Sequence, residues 1–285
     1  MQKKAFVLLS GGIDSTTCLY QAVHDLYSGT PHAKLIRDLT AEKTPIDWVE
    51  AVSIDYGQRH SVELTYAAAT CERLNIKHTI LDIGSLLSGK EILLSAESGA
   101  AMVQESYDTL KGVSPSYVPF RNGLMLSALT AYVQRWVNAQ IAEEEESLRE
   151  MARALDGDIV DLRNFRSAAT ENAKDIATIY YGAHAEDAAN WAYPDCTPEF
   201  NGSMANAIYT GSYNTIRLVT PLQWMRKHEI ITKGARLGVD FSHTWSCYDR
   251  GTEHCGKCPT CRARKEAFEI AGVRDSTKYA GDADV

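Results

Sequence analysis

The stretch AFVLLSGGIDSTTCLYQAV, residues 5–23, constrains the fold of this 285-residue chain more than any other. Its first part, residues 5–9, is a short and continuous apolar run, which predicts a buried strand. The pair Gly11-Gly12 follows, and from Asp14 onward apolar residues recur at helical spacing. A strand, a glycine-rich turn and a helix are the opening of a βαβ unit, so the stretch predicts an α/β protein with a parallel sheet.

The rest of the chain repeats this alternation of strand and helix patterns. Further apolar runs predict strands at 48–56, 77–83, 175–182 and 215–221, and helical spacing predicts helices near 62–74, 126–155, 224–237 and 259–271. We therefore predict a doubly wound, mostly parallel five-stranded sheet in one domain spanning residues 1–285. The stretch 28–47, which contains two prolines and mixed charges, is predicted to be a surface insertion into that domain.

Composition limits the partners that this chain is expected to have. The net charge is −8 and the isoelectric point about 5.5, whereas proteins that hold a long phosphate backbone usually carry a basic face. We therefore expect a small-molecule substrate rather than a nucleic acid. No apolar run is long enough to span a membrane, and Gly11, Gly12 and Asp14 interrupt the first apolar run early, which disfavours a signal peptide. These features predict a cytoplasmic protein without a membrane partner.

The glycine turn predicts a phosphate-binding loop. Ligands of open α/β sheets bind beyond the carboxyl ends of the strands, and a helix amino terminus there offers free N–H groups and the positive end of the helix dipole. Ser10 and Ser15 add hydroxyl donors, while Asp14 either caps the helix or holds a Mg²⁺ ion bound to the phosphates. The residues predicted to bind the nucleotide are Leu8, Leu9, Ser10, Gly11, Gly12, Ile13, Asp14, Ser15, Thr16, Thr17 and Cys18.

Two better-known phosphate motifs do not fit this loop. A Walker loop requires a Lys after its last glycine, and a dinucleotide fingerprint requires a third glycine where Thr16 and Thr17 stand. The pattern Ser-Gly-Gly-x-Asp-Ser instead resembles the PP-loop of enzymes that split ATP into AMP and pyrophosphate. An ordinary capped helix after a strand is the alternative that the loop alone leaves open.

Four of the seven cysteines form a cluster near the carboxyl terminus. Cys247, Cys255, Cys258 and Cys261 have the spacing C-x7-C-x2-C-x2-C, which suits a tetrahedral Zn²⁺ ion with four thiolate ligands. Because all four positions would be filled by sulfur, the site is predicted to be structural, within a zinc-binding helical segment at 244–271. Free core thiols and an iron–sulfur cluster are the alternatives.

Polar side chains follow three predicted strands, at 53–60, 117–123 and 182–200. Loops after parallel strands converge at one edge of the sheet, so these side chains are expected to face a common ligand. Arg121 suits a carboxylate or phosphate because its guanidinium bonds in a bidentate fork. The predicted substrate-binding residues are Tyr56, Gln58, Arg121, Asn122, His184, Glu186, Asp187, Tyr193, Asp195, Glu199 and Phe200. Taken singly, each is more often a capping or solvated loop residue.

Taken together, the motifs resemble those of the QueC family of 7-cyano-7-deazaguanine synthases. The matching pieces are LLSGGIDSTTCL, DYGQRH, VPFRN, AEDAANWAYPDCTPEF, TPLQWMRKHEI and TWSCY…CGKCPTCRARKEAF, in order along nearly the whole chain. The resemblance implies an ATP-dependent C–N ligase that converts 7-carboxy-7-deazaguanine and ammonia into the nitrile through an adenylated carboxylate and an amide. It also implies ATP, Mg²⁺ and Zn²⁺ as cofactors, and a homodimer.

The resemblance also suggests roles for individual residues. Asp14, Ser15, Arg121 and Lys227 are the predicted catalytic residues, with the positive charges of Arg121 and Lys227 set against phosphate or carboxylate. Carboxylates accept hydrogen bonds from the N–H donors of nucleic-acid bases. The guanine-like edge of the substrate would therefore donate to Glu186, Asp187, Asp195 and Glu199. Tyr56, Tyr193 or Phe200 would stack on the ring.

The chain departs from the family pattern in places. His184 stands where the family usually has Asn, and comparison with the family pattern predicts insertions at 28–47 and 137–172. Three other functions therefore stay open at this point: a PP-loop enzyme that modifies tRNA, a deazaguanine amidotransferase that stops at the amide, and a non-catalytic ATP-binding zinc protein.

Overall fold

The structure is a computed structural model that describes residues 1–27, 35–41, 45–58, 61–87, 98, 117–154, 164–189, 192–249 and 252–280. Its core is one parallel sheet of five strands, in the order β3-β2-β1-β4-β5. The strands are β1 (Lys4–Leu8), β2 (Ile46–Asp55), β3 (Ile76–Asp82), β4 (Ala177–Tyr180) and β5 (Ile216–Val219). The predicted doubly wound five-stranded sheet is confirmed, and every strand pair in it is parallel.

Helices cover both faces of the sheet. They are α1 (Ile13–Leu26), α2 (Leu35–Ala41), α3 (Val62–Leu74), α4 (Gly84–Leu87), α5 (Arg121–Ala154), α6 (Phe165–Asn172), α7 (Ala185–Ala188), α8 (Pro198–Gly211), α9 (Lys227–Leu237) and α10 (Pro259–Ala271). Single 3₁₀ turns lie at Pro194–Cys196 and Phe241–His243. Within the described ranges, no helix is both long and apolar enough to cross a membrane.

Two apolar clusters sandwich the sheet, and alternate strand residues enter each of them. Ala5 and Val7 of β1 pack into the cluster that contains α1, α9 and α10, whereas Phe6 and Leu8 pack into the cluster beneath α5 and α6. A strand buried on both faces is apolar throughout rather than alternating. This double burial is the physical reason for the apolar run at residues 5–9.

The chain order of the strands reverses beside β1. From β1 the chain moves outward through β2 and β3, and it then returns to place β4 on the other side of β1. In open α/β sheets, ligands bind beyond the carboxyl ends of the strands at such a switch point. The fold therefore directs attention to the space above β1 and β4.

Two features of the helices differ from the sequence prediction. α8 was not predicted, so Glu199 and Phe200 lie in a helix and not in a loop. Within the predicted surface insertion at 28–47, Leu35 and Leu39 of α2 are buried in the core beside α1.

Candidate functional site

A cavity of about 700 Å³ opens at the switch point. Its wall is built by the turn after β1, the start of α5, the residues after β4, the start of α9, residues 245–248 and one face of α10. These segments are far apart in the sequence, and the topology of the parallel sheet brings them to one edge. A volume of this size is typical of a small-molecule site.

The turn after β1 has a shape that requires glycine. Gly11 has φ of 83°, and a Cβ atom there would lie 2.4 Å from the backbone oxygen of Glu63. The carbonyl of Gly11 accepts a hydrogen bond from the N–H of Trp245 at 2.8 Å. The turn is thus fixed between α3 and the segment that leads to the cysteine cluster.

The first turn of α1 presents hydrogen-bond donors to the cavity. Ile13, Asp14 and Ser15 line the cavity, and their N–H groups have no acceptor one turn earlier because they begin the helix. The Ser10 and Ser15 hydroxyls lie 3.0 Å apart, and the Ser10 N–H donates to Ser15 Oγ at 3.1 Å. Together these groups form a cradle for a small anion.

Charged side chains gather beside this cradle. Lys227 Nζ donates to Asp14 Oδ2 at 2.5 Å, and it lies 3.3 Å from His184 Nε2. His184 Nε2 also lies 3.2 Å from Asp187 Oδ2. Asp14 Oδ1 is buried and, among the described residues, has no hydrogen-bond partner. The cluster therefore keeps one carboxylate oxygen available.

Opposing effects set the protonation states of Asp14 and Lys227. Burial raises the pKa of Asp14, but the charges of Lys227 and His184 lower it more, so the pKa lies below its usual value. For Lys227 burial lowers the pKa, and Asp14 and Asp187 raise it further than burial lowers it. Both groups are therefore ionised at neutral pH.

Arg121 brings a second cation to the cavity. Its Nη1 donates to Tyr56 Oη at 3.2 Å, and the guanidinium carbon lies 5.6 Å from the Tyr56 ring centre. Burial raises the pKa of Tyr56 to about 12, so the phenol stays neutral. Within the described ranges, no carboxylate forms an ion pair with Arg121. A guanidinium that lines the cavity without such a partner is suited to a bound anion.

The start of α5 is held by Asp195. Its Oδ2 accepts the N–H of Asn122 at 3.0 Å, and the Asn122 side chain donates to Cys196 Sγ at 3.3 Å. Burial raises the pKa of Asp195. Asn122 lines the cavity, whereas Asp195 lies behind it. The contact to Asn122 places Asp195 as a support for the helix that carries Arg121.

The predicted site residues divide into two groups. Those that line the cavity are Leu8, Leu9, Ser10, Gly12, Ile13, Asp14, Ser15, Tyr56, Arg121, Asn122, His184, Glu186, Asp187, Lys227 and Cys247. Those that do not are Gly11, Thr16, Thr17, Cys18, Gln58, Tyr193, Asp195, Glu199, Phe200, Cys255, Cys258 and Cys261.

The second group has other surroundings. Gln58 is buried and bonded to Tyr56, Ile54 and Glu63, while Tyr193 packs on Tyr117. Phe200 packs on Phe120, and the side chain of Glu199 is exposed. Thr16, Thr17 and Cys18 are buried.

The four cysteines of the carboxyl-terminal cluster lie together. Their sulfur atoms are all within 4.8 Å of one another, and thiolates around a tetrahedral Zn²⁺ ion are about 3.8 Å apart when each Zn–S bond is about 2.3 Å. Backbone N–H groups of Asp249 and Cys255 donate to Cys247 Sγ, both at 3.4 Å. Four converging sulfurs with amide donors suit a bound metal ion.

Sequence reasoning missed several residues of the cavity wall. Tyr181, Trp245, Ser246 and Tyr248 line it, but an apolar or small side chain next to a strand or a cysteine gives no functional signal. Gly182 offered a sequence signal: it is a glycine two residues after β4, and a Cβ atom there would lie 3.2 Å from the backbone of Asp14.

Comparison with known proteins gives consistent matches. A profile of the family described as "Queuosine biosynthesis protein QueC" matches residues 38–143 and 137–272. A 7-cyano-7-deazaguanine synthase of Caldicellulosiruptor bescii is 34% identical over 276 residues, which is 97% of each chain. One of Pseudoalteromonas atlantica is 29% identical over 282 residues, 98% of this chain and 100% of the relative. A solved U34-tRNA thiolase NcsA from Methanococcus maripaludis, with its [4Fe-4S] cluster, aligns at 12% identity with a TM-score of 0.37 over 100% of this chain and 76% of that one, too low to support a conclusion.

Proposed function

The chain belongs to the QueC family of queuosine biosynthesis proteins, and from this membership we propose that it is a 7-cyano-7-deazaguanine synthase. It takes 7-carboxy-7-deazaguanine, ammonia and ATP and forms the nitrile. The observation that carries the proposal is the pairing, in one cavity, of a donor-lined turn at α1 with a guanidinium at Arg121 that has no described carboxylate partner.

The reaction activates the carboxylate carbon of the substrate twice, each time with one ATP. The carboxylate of the acid attacks the α-phosphorus of ATP, the bond to the bridging oxygen breaks, and pyrophosphate leaves. Ammonia attacks the carbonyl carbon of the acyl adenylate, and AMP and a proton leave to give the amide. The amide oxygen attacks the α-phosphorus of a second ATP, and pyrophosphate and one N–H proton leave. Loss of AMP and of the second N–H proton then gives the nitrile.

The phosphates of ATP are assigned to the turn after β1. N–H groups of Ile13, Asp14 and Ser15 donate to the phosphate oxygens, together with the hydroxyls of Ser10 and Ser15. Charge that develops on the leaving pyrophosphate is met by donors that are already in place, which is the main way such sites accelerate a reaction.

Lys227 and Arg121 supply positive charge at two places. Lys227, held beside Asp14, is suited to the phosphates, whereas Arg121 is suited to the carboxylate of the acid through its bidentate fork. Glu186 and Asp187 line the same cavity and are the acceptors proposed for the N–H edge of the deazaguanine. The Tyr56 ring offers a face for the bicyclic ring to stack on.

The residues present also fit two metal ions. The unpartnered Asp14 Oδ1 is a hard oxygen donor of the kind that Mg²⁺ prefers. When bound there, Mg²⁺ would neutralise charge on the phosphates. The four cysteines fit Zn²⁺ with no open coordination position, so that ion would stabilise residues 244–271 and take no part in the reaction.

Several finer points are part of the same proposal. Residues 1–285 are taken as one domain, with insertions at 28–47 and 137–172 and a zinc-binding segment at 244–271. Thr16, Thr17 and Cys18 would contribute backbone groups only, since their side chains are buried. The homodimer, the cytoplasmic location and the absence of nucleic-acid and membrane partners stay predictions.

One assay tests the proposal against its alternatives. The protein is incubated with ATP, Mg²⁺, ammonium and 7-carboxy-7-deazaguanine, and AMP and the nitrile are followed by mass spectrometry. We expect AMP and the nitrile to appear together. Amide without nitrile would indicate an enzyme that stops at the amide, AMP only in the presence of tRNA would indicate a tRNA-modifying enzyme, and no turnover would indicate a binding protein.

A further inference from the structure

Arg264 is the largest side chain that is fully buried in the described part of the chain. Its Nε and Nη2 atoms donate to the two carboxylate oxygens of Asp275 at 3.0 and 3.1 Å. Burial raises the pKa of Asp275, but the hydrogen bonds and charge of Arg264 lower it below its usual value. A buried ion pair with this bidentate geometry is costly to assemble and strongly destabilising to break.

The remaining donors of Arg264 all reach one short stretch, residues 241–246. Nη2 donates to the Phe241 carbonyl at 2.9 Å, and Nη1 donates to Thr244 Oγ1 at 2.9 Å and to the Thr244 carbonyl at 3.3 Å. Nη1 also lies 3.2 Å from Ser246 Oγ. One guanidinium thus fixes the path of the backbone just before Cys247.

That stretch is in direct contact with the turn after β1. The Trp245 N–H donates to the Gly11 carbonyl at 2.8 Å, and a Cβ atom at Gly12 would lie 3.5 Å from the Trp245 carbonyl oxygen. Trp245 and Ser246 themselves line the cavity. A shift of residues 241–246 would therefore move the turn that presents its N–H groups to a ligand.

We propose that Arg264 is a positioning residue for the phosphate-binding turn, acting through Trp245 on Gly11. The inference rests on the proposed function, since it assumes that this turn binds ATP. Arg264 does not touch the ligand. It orders the backbone that holds the turn in place, and lysine is a poor substitute because an ammonium group cannot make a planar fork with Asp275 and reach the Thr244 carbonyl as well.

The test uses the metal-loaded full chain with Arg264→Lys, and Asp275→Asn as a second variant that leaves the guanidinium in place. We expect both variants to bind ATP on the order of tenfold more weakly, because small displacements in a site have effects of this size or larger. The KM for ATP should rise while kcat changes less, and the metal content should equal that of the unmodified chain. Amide exchange at Trp245, measured by hydrogen–deuterium exchange without ligand, should become faster.

A matched control is Glu50→Gln. Glu50 is also buried and ion-paired, with Lys4 and Lys77, but it lies inside β2 opposite Phe6 and away from the cavity. The Glu50→Gln substitution should lower the melting temperature without changing the Kd for ATP.

The outcomes separate this inference from the proposed function. If both variants melt earlier but bind ATP as the unmodified chain does, Arg264 is only structural and the inference is wrong. If Trp245 exchanges no faster in Arg264→Lys, the inference is wrong whatever the ligand proves to be. If the unmodified chain binds no ATP, the proposed function fails as well, and the exchange data still report whether Arg264 holds the turn.

Discussion

At the scale of single residues, Gly11 is the position in the turn that least tolerates a side chain. A non-glycine residue in left-handed conformation costs about 1–2 kcal/mol, and a Cβ atom 2.4 Å from the Glu63 carbonyl oxygen would add a steric clash. We expect Gly11→Ala to lower the free energy of unfolding by more than about 2 kcal/mol and to abolish ATP binding. Urea unfolding and calorimetric titration measure the two effects.

Gly12→Ala is the control for this substitution. Gly12 has φ of −79°, and its added Cβ would meet only Ser10 Oγ at 3.4 Å and the Trp245 carbonyl oxygen at 3.5 Å. The loss of stability should therefore be well below that of Gly11→Ala. Equal losses in the two variants would contradict the assignment of strain to Gly11.

Asp195 allows a prediction with a defined pH dependence. Because burial raises its pKa in the folded state, the unfolded chain binds fewer protons than the folded chain as pH rises through the folded value. Ionised Asp195 thus reduces stability above that pH, and the reduction disappears as the pH falls to the ordinary aspartate pKa of 3.8. Asp195→Asn keeps an oxygen for the Asn122 N–H and has no charge.

We therefore expect Asp195→Asn to melt at or above the temperature of the unmodified chain at pH 7, and to lose that advantage at pH 4. Asp195→Ala removes the acceptor and should cost about 1 kcal/mol, as lost helix caps do. Thermal unfolding of both variants at pH 7 and pH 4 measures these effects. An advantage of Asp195→Asn that grows as the pH falls would contradict the raised pKa.

Residue roles were predictable where a motif is local and not where a role depends on distant packing. Ser10, Asp14 and Ser15 lie within one turn, so their spacing alone placed them on the cavity wall. Asp195 and Phe200 are as polar or aromatic as a ligand contact would be, yet the first supports α5 and the second packs on Phe120. Composition of a loop does not reveal which side chains turn inward.

At the scale of elements, burial explains which patterns were readable. β1, β2 and β4 place buried residues in both apolar clusters, so each stands out as an apolar run, whereas the edge strands β3 and β5 are only partly buried. α8 escaped prediction because only Asn201 and Ile208 along its 14 residues are buried, which leaves almost no apolar periodicity. Thr197, which accepts the Phe200 N–H, and Pro198 after it are a helix start signal that the sequence did contain.

Loss of a ligand from the cysteine cluster should weaken the binding of both the metal ion and the nucleotide. Residues 244–247 join the cluster to Gly11 through Trp245, so removing a ligand should loosen the turn as well. We expect Cys258→Ser to lower the metal content, the melting temperature and the affinity for ATP together, measured by elemental analysis, thermal unfolding and calorimetry.

Cys71→Ser is the matched control, since Cys71 is a buried thiol of α3 outside the cluster. It should reduce stability and leave the metal content unchanged. Unchanged metal stoichiometry in Cys258→Ser would exclude the cluster as the metal site.

At the scale of the whole molecule, the topology explains why the site could be located in advance. Parallel strands put all of their carboxyl ends at one edge, so the segments after β1, β2 and β4 had to meet there. The contact between Gly11 and Trp245 joins residues at opposite ends of the chain, and no local pattern predicts it. The division of the cavity wall between α9, α10 and residues 245–248 became visible only in three dimensions.

The net charge of the molecule leads to a last prediction. At −8, the chain repels a polyanion at long range. Lys227, the cation beside the phosphate turn, faces the negative charges of Asp14, Asp187 and Glu186. We expect added tRNA to leave the rate of nitrile formation within about twofold of its value without tRNA, because binding a nucleic acid requires several phosphate contacts from Lys and Arg.

The same reasoning predicts little change in the KM for the acid between low and moderate salt, whereas a protein that neutralises several phosphates loses orders of magnitude in affinity over that range. Initial rates at several salt concentrations, with and without tRNA, measure both. Stimulation by tRNA that fades as salt is added would show that a local basic surface outweighs the overall charge and would favour a tRNA-modifying enzyme.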